Sequence, residues 1–265
     1  MNPCRINMFW IGPTLSWVEQ LSIKSFLANG HPVHLYTYGP VENLPEGVAI
    51  EDAGSIVPEA TSVRLSGGRR GSNALAADYF RLKLQEAGAG VWADCDMVSL
   101  LPFELDLDQP LYGLQDETYI NTAILYLPKN SPILIEALSG FGPNVIPPWF
   151  TMERKIQLSL RKMVFWSFDE TDQRWATLGP DAITWLVPKH GGTKIAKPPS
   201  TFYPYSWKRA KAPFEPGTRI WAFTLPTTLA VHLWSDALGE AKAKSPHADS
   251  AIGELMIRYG VNVGG

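Results

Sequence analysis

The sequence predicts an α/β protein folded as a single domain over residues 1–265, and three observations carry that reading. Two apolar, β-compatible runs near the N-terminus flank a helical pattern, which makes a β-α-β unit and hence a right-handed parallel crossover. A second helical pattern ends in Gly88 and Gly90 and leads straight into Val91-Trp92-Ala93, a short buried-strand pattern. Further strand patterns follow at residues 111–114 and 119–127. A chain of this length buries a full hydrophobic core.

Taken in order, residues 5–12 read as the first strand, closed by Gly12-Pro13. Ser16 or Thr14 is placed to cap a helix running to about Ala28, with Leu15, Val18, Leu21, Ile23 and Phe26 inward, and Asn29-Gly30 stops it. Residues 32–38 are the second strand, and a short strand is expected near Val48-Ala49-Ile50. Gly67-Gly68-Arg69-Arg70-Gly71-Ser72 reads either as a surface loop or as an anion-binding loop that closes over a ligand. Leu75, Tyr79, Leu82 and Leu84 give a rough apolar stripe, so residues 73–87 form a helix. A helix is expected at 130–141, a helical piece at 153–163, and a Gly179-Pro180 helix start, where Asp181 suits the helix dipole. Ala230-Val231-His232-Leu233-Trp234 reads as a late core strand, and residues 236–265 as a helix and tail.

Composition excludes several classes. A net charge of −3 argues against a nucleic-acid partner. Cys4 and Cys95 are too few for a disulfide framework or a zinc site. No apolar run approaches the ~20 residues that span a bilayer, and Met-Asn-Pro-Cys-Arg does not open a signal peptide. The expected location is cytoplasmic, with peripheral association at the inner face of a membrane left open. Ten tryptophans is a high count, and aromatic faces serve sugars and bases as well as cores.

The chemistry centres on Asp94-Cys95-Asp96, where the Val-Trp-Ala strand runs out. Alternating strand side chains would send both carboxylates to one side. Two carboxylates so close repel unless a cation lies between them, and oxygen ligation suits Mg²⁺ or Mn²⁺. The carboxyl ends of strands in an open α/β sheet are also where ligands bind. A polar loop with two solvated aspartates is the competing reading, since the tripeptide is common. Upstream, Asp78 and Arg81 stand at i, i+3 on the preceding helix and share a face. They are either an ordinary helix ion pair or an acid and a fork-shaped cation that hold sugar hydroxyls and a diphosphate.

Asp78-Tyr79-Phe80-Arg81, then Gly88-Ala89-Gly90-Val91-Trp92, then Asp94-Cys95-Asp96, resembles the shared block of the DXD sugar transferases of the GT-A fold. That group includes α-mannosyl- and α-galactosyltransferases and the glucosylating bacterial toxins. The resemblance extends from Trp10 to Trp234 but is dense only between Asp78 and Asp96. It implies a GT-A-type, Rossmann-like mixed sheet flanked by helices, with residues about 143–178 and 196–228 as acceptor-side insertions. It further implies a Mn²⁺ or Mg²⁺ ion on Asp94, Asp96 and His232, and a nucleotide-sugar donor bound by Trp10, Asp78, Arg81, Asp94, Asp96 and Trp234. Asp78 and Asn121 face the donor sugar, with Gln115, Asp116 and Glu117 near enough in sequence to line the same pocket, and Arg81, with Lys208 or Arg209, adds charge on the phosphates. Relatives often carry a histidine before the strand-end tryptophan, whereas this chain has Asn7-Met8.

The expected activity is transfer of a hexose from UDP, or of mannose from GDP, to a glycan or glycolipid acceptor with retention. No trusted pair of carboxyls about 5 Å apart suggests a covalent double displacement, so same-face attack assisted by the leaving phosphate is favoured. The alternatives are a sugar-nucleotide-binding module without turnover, against which Asp94, Asp96 and Arg81 argue, and a nucleotidyltransferase. The last would carry a Gly-rich basic loop after the first strand, and Gly12-Pro13-Thr14 lacks one. For Trp10 and His232 the alternatives are a core tryptophan at a strand end and a histidine that bonds a backbone carbonyl.

Overall fold

A computed structural model describes residues 3–66, 73–164, 167–172 and 176–262. The Gly67–Ser72 loop with Arg69 and Arg70 lies outside them, as does Trp166. In chain order the strands are β1 (Ile6–Phe9), β2 (Val33–Thr37), β3 (Ala49–Asp52), β4 (Val91–Ala93), β5 (Met97–Ser99), β6 (Leu111–Leu114), β7 (Ile120–Tyr126) and β8 (Ala230–His232). The α-helices are α1 (Trp17–Ala28), α2 (Glu59–Ser66), α3 (Ala74–Ala87), α4 (Pro132–Ser139), α5 (Met152–Met163), α6 (Pro180–Lys189), α7 (Pro199–Phe202), α8 (Ser235–Leu238) and α9 (Ala251–Arg258).

Six strands form one mixed sheet in the order β3-β2-β1-β4-β7-β6. The β3-β2-β1-β4 half is parallel, whereas β7 runs antiparallel to both β4 and β6. This is a mixed α/β, Rossmann-like domain. The β1-α1-β2 crossover follows from local signals. Ser16 accepts from the Val18 amide while Glu19 reaches back to the Ser16 amide at 2.7 Å, which is a capping box. At the C-terminal end of α3, Gly88 takes a left-handed conformation (φ 75°) that a side chain would strain, and this turns the chain into β4.

Side-chain alternation splits the core into two layers. Ile6, Met8, Val91 and Ala93 face α1 and α9 on one side, whereas Phe9, Trp92 and Leu125 face Phe80 of α3 together with α4 and α6 on the other. The Asn7-Met8 departure is buried structure. Asn7 donates to the Ala89 and Val91 carbonyls, both at 3.0 Å, and ties β1 to the turn before β4. The carboxyl ends of β1, β2 and β4 therefore open on one edge. Beside it β8 pairs with β5 as a separate two-stranded ribbon.

No helix among the described residues is long and apolar enough to cross a membrane.

Candidate metal centre and adjoining cleft

The strand β4 stops at Ala93, so Asp94 and Asp96 do not alternate along a strand as the sequence suggests. They sit in a tight turn, closed by a Met97 amide to Asp94 carbonyl bond of 3.0 Å, that reverses the chain into β5. The Asp94 amide donates to the Ala123 carbonyl at 2.8 Å, and the Cys95 thiol turns away to the Phe9 carbonyl at 3.4 Å. The turn, rather than the strand pleat, brings the two carboxylates together.

The third member arrives through pairing. β5 and β8 set Met97 opposite His232, and the Leu233 amide bonds the Asp96 carbonyl at 2.9 Å. One donor atom from each of Asp94, Asp96 and His232 then lies within 4.8 Å of the others, a group that could hold a metal ion. His232 Nε2 is 3.1 Å from Asp96 Oδ1, and Nδ1 is buried with no hydrogen-bond partner among the described residues. Neither ring nitrogen bonds a backbone carbonyl, so the carbonyl-bonding role weighed for His232 is not what the geometry supports. Two carboxylates and one imidazole are a donor set that suits a divalent cation.

The surrounding groups aim these ligands. Asp94 Oδ1 accepts from Arg81 at 2.7 Å and from the Trp92 indole N–H at 2.6 Å. Asp96 Oδ2 accepts from the Ser235 amide at 2.9 Å. The Trp234 ring lies against His232 with centroids 4.0 Å apart and planes tilted by 39°, and its N–H donates to the Tyr205 carbonyl at 3.1 Å. Trp234 has a φ of 56°, unusual for a bulky residue, so the fold tolerates local strain to keep the Leu233–Ser235 turn wrapped around Asp96. Trp234 is thus buried behind the imidazole. Such outer contacts orient metal ligands. Trp92, Thr122 and Ser235 escaped sequence reasoning; only the position of Trp92, two residues before Asp94, was a signal.

Asp78 and Arg81 are not an exposed helix pair. They are 6% and 5% exposed. Arg81 donates to Asp78 Oδ1 at 3.0 Å, makes a short bond to Thr122 Oγ1, and lies 5.0 Å over the Trp92 ring. A single guanidinium bridges two carboxylates, Asp78 and Asp94. Across from Asp78, the Gly179 backbone at the start of α6 comes so close that a Cβ there would sit 2.3 Å from Asp78 Oδ1. Only glycine fits.

Charge follows from this crowding. Burial, with repulsion from Asp94 and Asp181, outweighs the pull of Arg81 and raises the Asp78 carboxyl from 3.8 to about 7. Burial would also raise Asp96, but the His232 imidazolium and the bonds from His232 and Ser235 bring it below the usual carboxylate range. Burial would lower His232, and Asp96 overrides it, so the imidazole is raised.

Of the other predicted residues, Asn121 lies next to Thr122 on β7 and donates to Gln115 Oε1 at 2.8 Å, so those two form a pair. Asp116 is engaged in its own hairpin turn, accepting from the Thr118 and Tyr119 amides. Asp181 accepts from the Tyr119 hydroxyl at 2.7 Å. Lys208 and Arg209 are exposed, with Lys208 over the Trp207 ring. Trp10 follows β1 directly and lines a cleft of about 410 Å³ with Gly12, Thr37, Tyr38, Ser62 and Asn73, at the carboxyl ends of β1 and β2. Asp94, Asp96 and His232 do not line that cleft; the link to it is the Cys95 thiol on the carbonyl of Phe9, the residue before Trp10.

No protein-family model matches the chain, and a search of curated proteins finds no significant match to it.

Proposed function

We propose that the protein is a metal-dependent glycosyltransferase. It moves a hexose from a nucleotide sugar, UDP-linked ahead of GDP-linked, to a glycan or glycolipid acceptor with retention. The observation that carries this reading is the convergence of Asp94, Asp96 and His232 beside a cleft at the carboxyl ends of β1 and β2. A divalent ion there supplies Lewis-acid neutralisation of a leaving diphosphate. The chain's own residues do the positioning. Trp10 offers an aromatic face in the cleft for the base. Arg81 and the Trp92 indole hold Asp94 so that its second oxygen is left for the ion. Asp78, Asn121 and Gln115 would hold the sugar hydroxyls. The leaving diphosphate oxygen is then the acceptor's base on the same face of the sugar.

Calorimetry of UDP and GDP with and without Mn²⁺, followed by product analysis with the UDP- and GDP-sugars, tests the proposal. Binding should weaken strongly in EDTA, and sugar should be transferred or released only with metal. Equal nucleotide affinity with and without a divalent ion would end it. Binding without turnover would leave the non-catalytic module.

A further inference from the structure

We infer that helix α5 is a surface anchor that lies in the interface of a bilayer containing anionic phospholipid. The helix is inverted relative to an ordinary amphipathic one. Only Leu158 is buried, against Phe150, Phe168 and Leu178. At 3.6 residues per turn Met152, Ile156, Leu160 and Met163 fall on one stripe roughly 80° wide, turned away from Leu158. These side chains are 55–75% exposed, and Val164 prolongs the stripe. Packing inside the protein accounts for one apolar residue of the helix and leaves the rest in water.

The charges indicate what covers the stripe. Lys155 and Lys162 flank it on one side. Arg154 and Arg161 lie round the far side, where both reach Asp172, at 2.9 and 3.1 Å. Glu153 borders the other edge, and Arg161 is paired with Asp172, so of the 4 − 1 = +3 that residues 152–163 carry on a chain of net charge −3, the cations beside the stripe are Lys155, which also donates to the Pro148 carbonyl, and Lys162. A cationic apolar ridge on an acidic protein complements an anionic surface that is apolar just beneath. Unbranched Met and long Lys stems suit such a boundary, the lysines reaching back to the headgroups as the stripe sinks roughly 5–10 Å. Leu158 packs in the cluster that includes Leu178, next to the Gly179 backbone that closes on Asp78. The anchor would thus sit on the side of the molecule where α3 and α6 begin. The inference does not rest on sugar transfer.

Co-sedimentation of the full chain with phosphatidylcholine vesicles, with and without phosphatidylglycerol, tests it. Binding should require phosphatidylglycerol and fall with salt. The double variant I156N/L160N should lose binding by about tenfold or more, since two inserted side chains become polar. K155Q/K162Q should lose most of the preference for phosphatidylglycerol. All these side chains border solvent, so melting temperatures should stay within about 2 °C of the parent. No vesicle binding, or unchanged binding by I156N/L160N, overturns the inference. So does a dimer abolished by I156N/L160N without vesicle binding, which would assign the stripe to a second copy of the chain.

Discussion

Replacing Asp78 by asparagine isolates one charge at the centre of the protein. Its carboxyl is raised from 3.8 to about 7 by burial, with Asp94 and Asp181 repelling it and Arg81 only partly compensating. Between those two values the folded protein holds a proton that the unfolded chain has released. Stability therefore falls as pH climbs through that window and levels off above about 7. The interval of about 3 units corresponds to about 4 kcal/mol at 25 °C. An asparagine there would keep the shape and have no proton to lose.

Asp78→Asn should thus match the parent near pH 4 and exceed it by up to about 4 kcal/mol at about pH 8, less about 1 kcal/mol for the weakened bond from Arg81. For a chain of this size that net gain is roughly 10 °C in melting temperature. Urea unfolding in EDTA across the range measures it. Asp96 and His232 titrate alike in both proteins and cancel in the difference. Parallel stability curves, or an asparagine variant less stable at about pH 8, would refute the claim that burial outweighs the Arg81 ion pair.

Three other outcomes are expected. Arg81→Ala leaves Asp78 and Asp94 facing each other without their shared cation, and should cost about 3–5 kcal/mol by urea unfolding, where an exposed pair would cost under about 1. His232→Ala should weaken Mn²⁺ binding by about 100-fold in calorimetry while leaving the fold intact. In the parent, Mn²⁺ affinity should fall as pH drops through the raised imidazole pKa, because the ion needs the neutral ring. Trp92→Phe keeps a ring under Arg81 but removes the N–H donated to Asp94, so Mn²⁺ affinity should drop by about tenfold, alongside a fall in melting temperature from the void the smaller ring leaves in the core.

Local signals made most of the first half of the fold legible. The Ser16–Glu19 capping box and the Asn29-Gly30 stop set α1, and the β1-α1-β2 crossover follows from handedness. Gly88 marked the end of α3 to the residue. Where the reading went astray, the cause lay in non-local contacts. The Asp94–Asp96 pair looked like alternating strand residues because the pleat was the only geometry the sequence offered, whereas a turn and the Ala123 carbonyl shape it. Spacing showed that Asp78 and Arg81 share a face but not that the face is buried, since that depends on Gly179, Thr122 and Asp94 arriving from elsewhere. His232 could be suspected from an apolar strand ending in His-x-Trp, but its register opposite Met97 is set by pairing that no local pattern encodes.

The distribution of charge bears on how a diphosphate could be received at all. Arg81 is the natural candidate, yet its guanidinium is already bonded to Asp78, Thr122 and Asp94 deep inside the fold. Freeing it would strand the buried Asp78 and the partly buried Asp94 carboxylates, at a cost of several kcal/mol. Asp181 and Asp236 add further negative potential, since Asp181 raises Asp78 and Asp96 raises Asp236 after burial does. A pyrophosphate approaching this face therefore meets carboxylates first. The His232 imidazole, whose pKa burial would lower and Asp96 raises, is held by that carboxylate at 3.1 Å. Phosphate would be favoured only with a divalent ion held by Asp94, Asp96 and a neutral His232. Under the proposed function Arg81 would act on the phosphates through Asp94, by fixing a ligand of the ion. Metal should then bind detectably without nucleotide, and nucleotide hardly at all without metal.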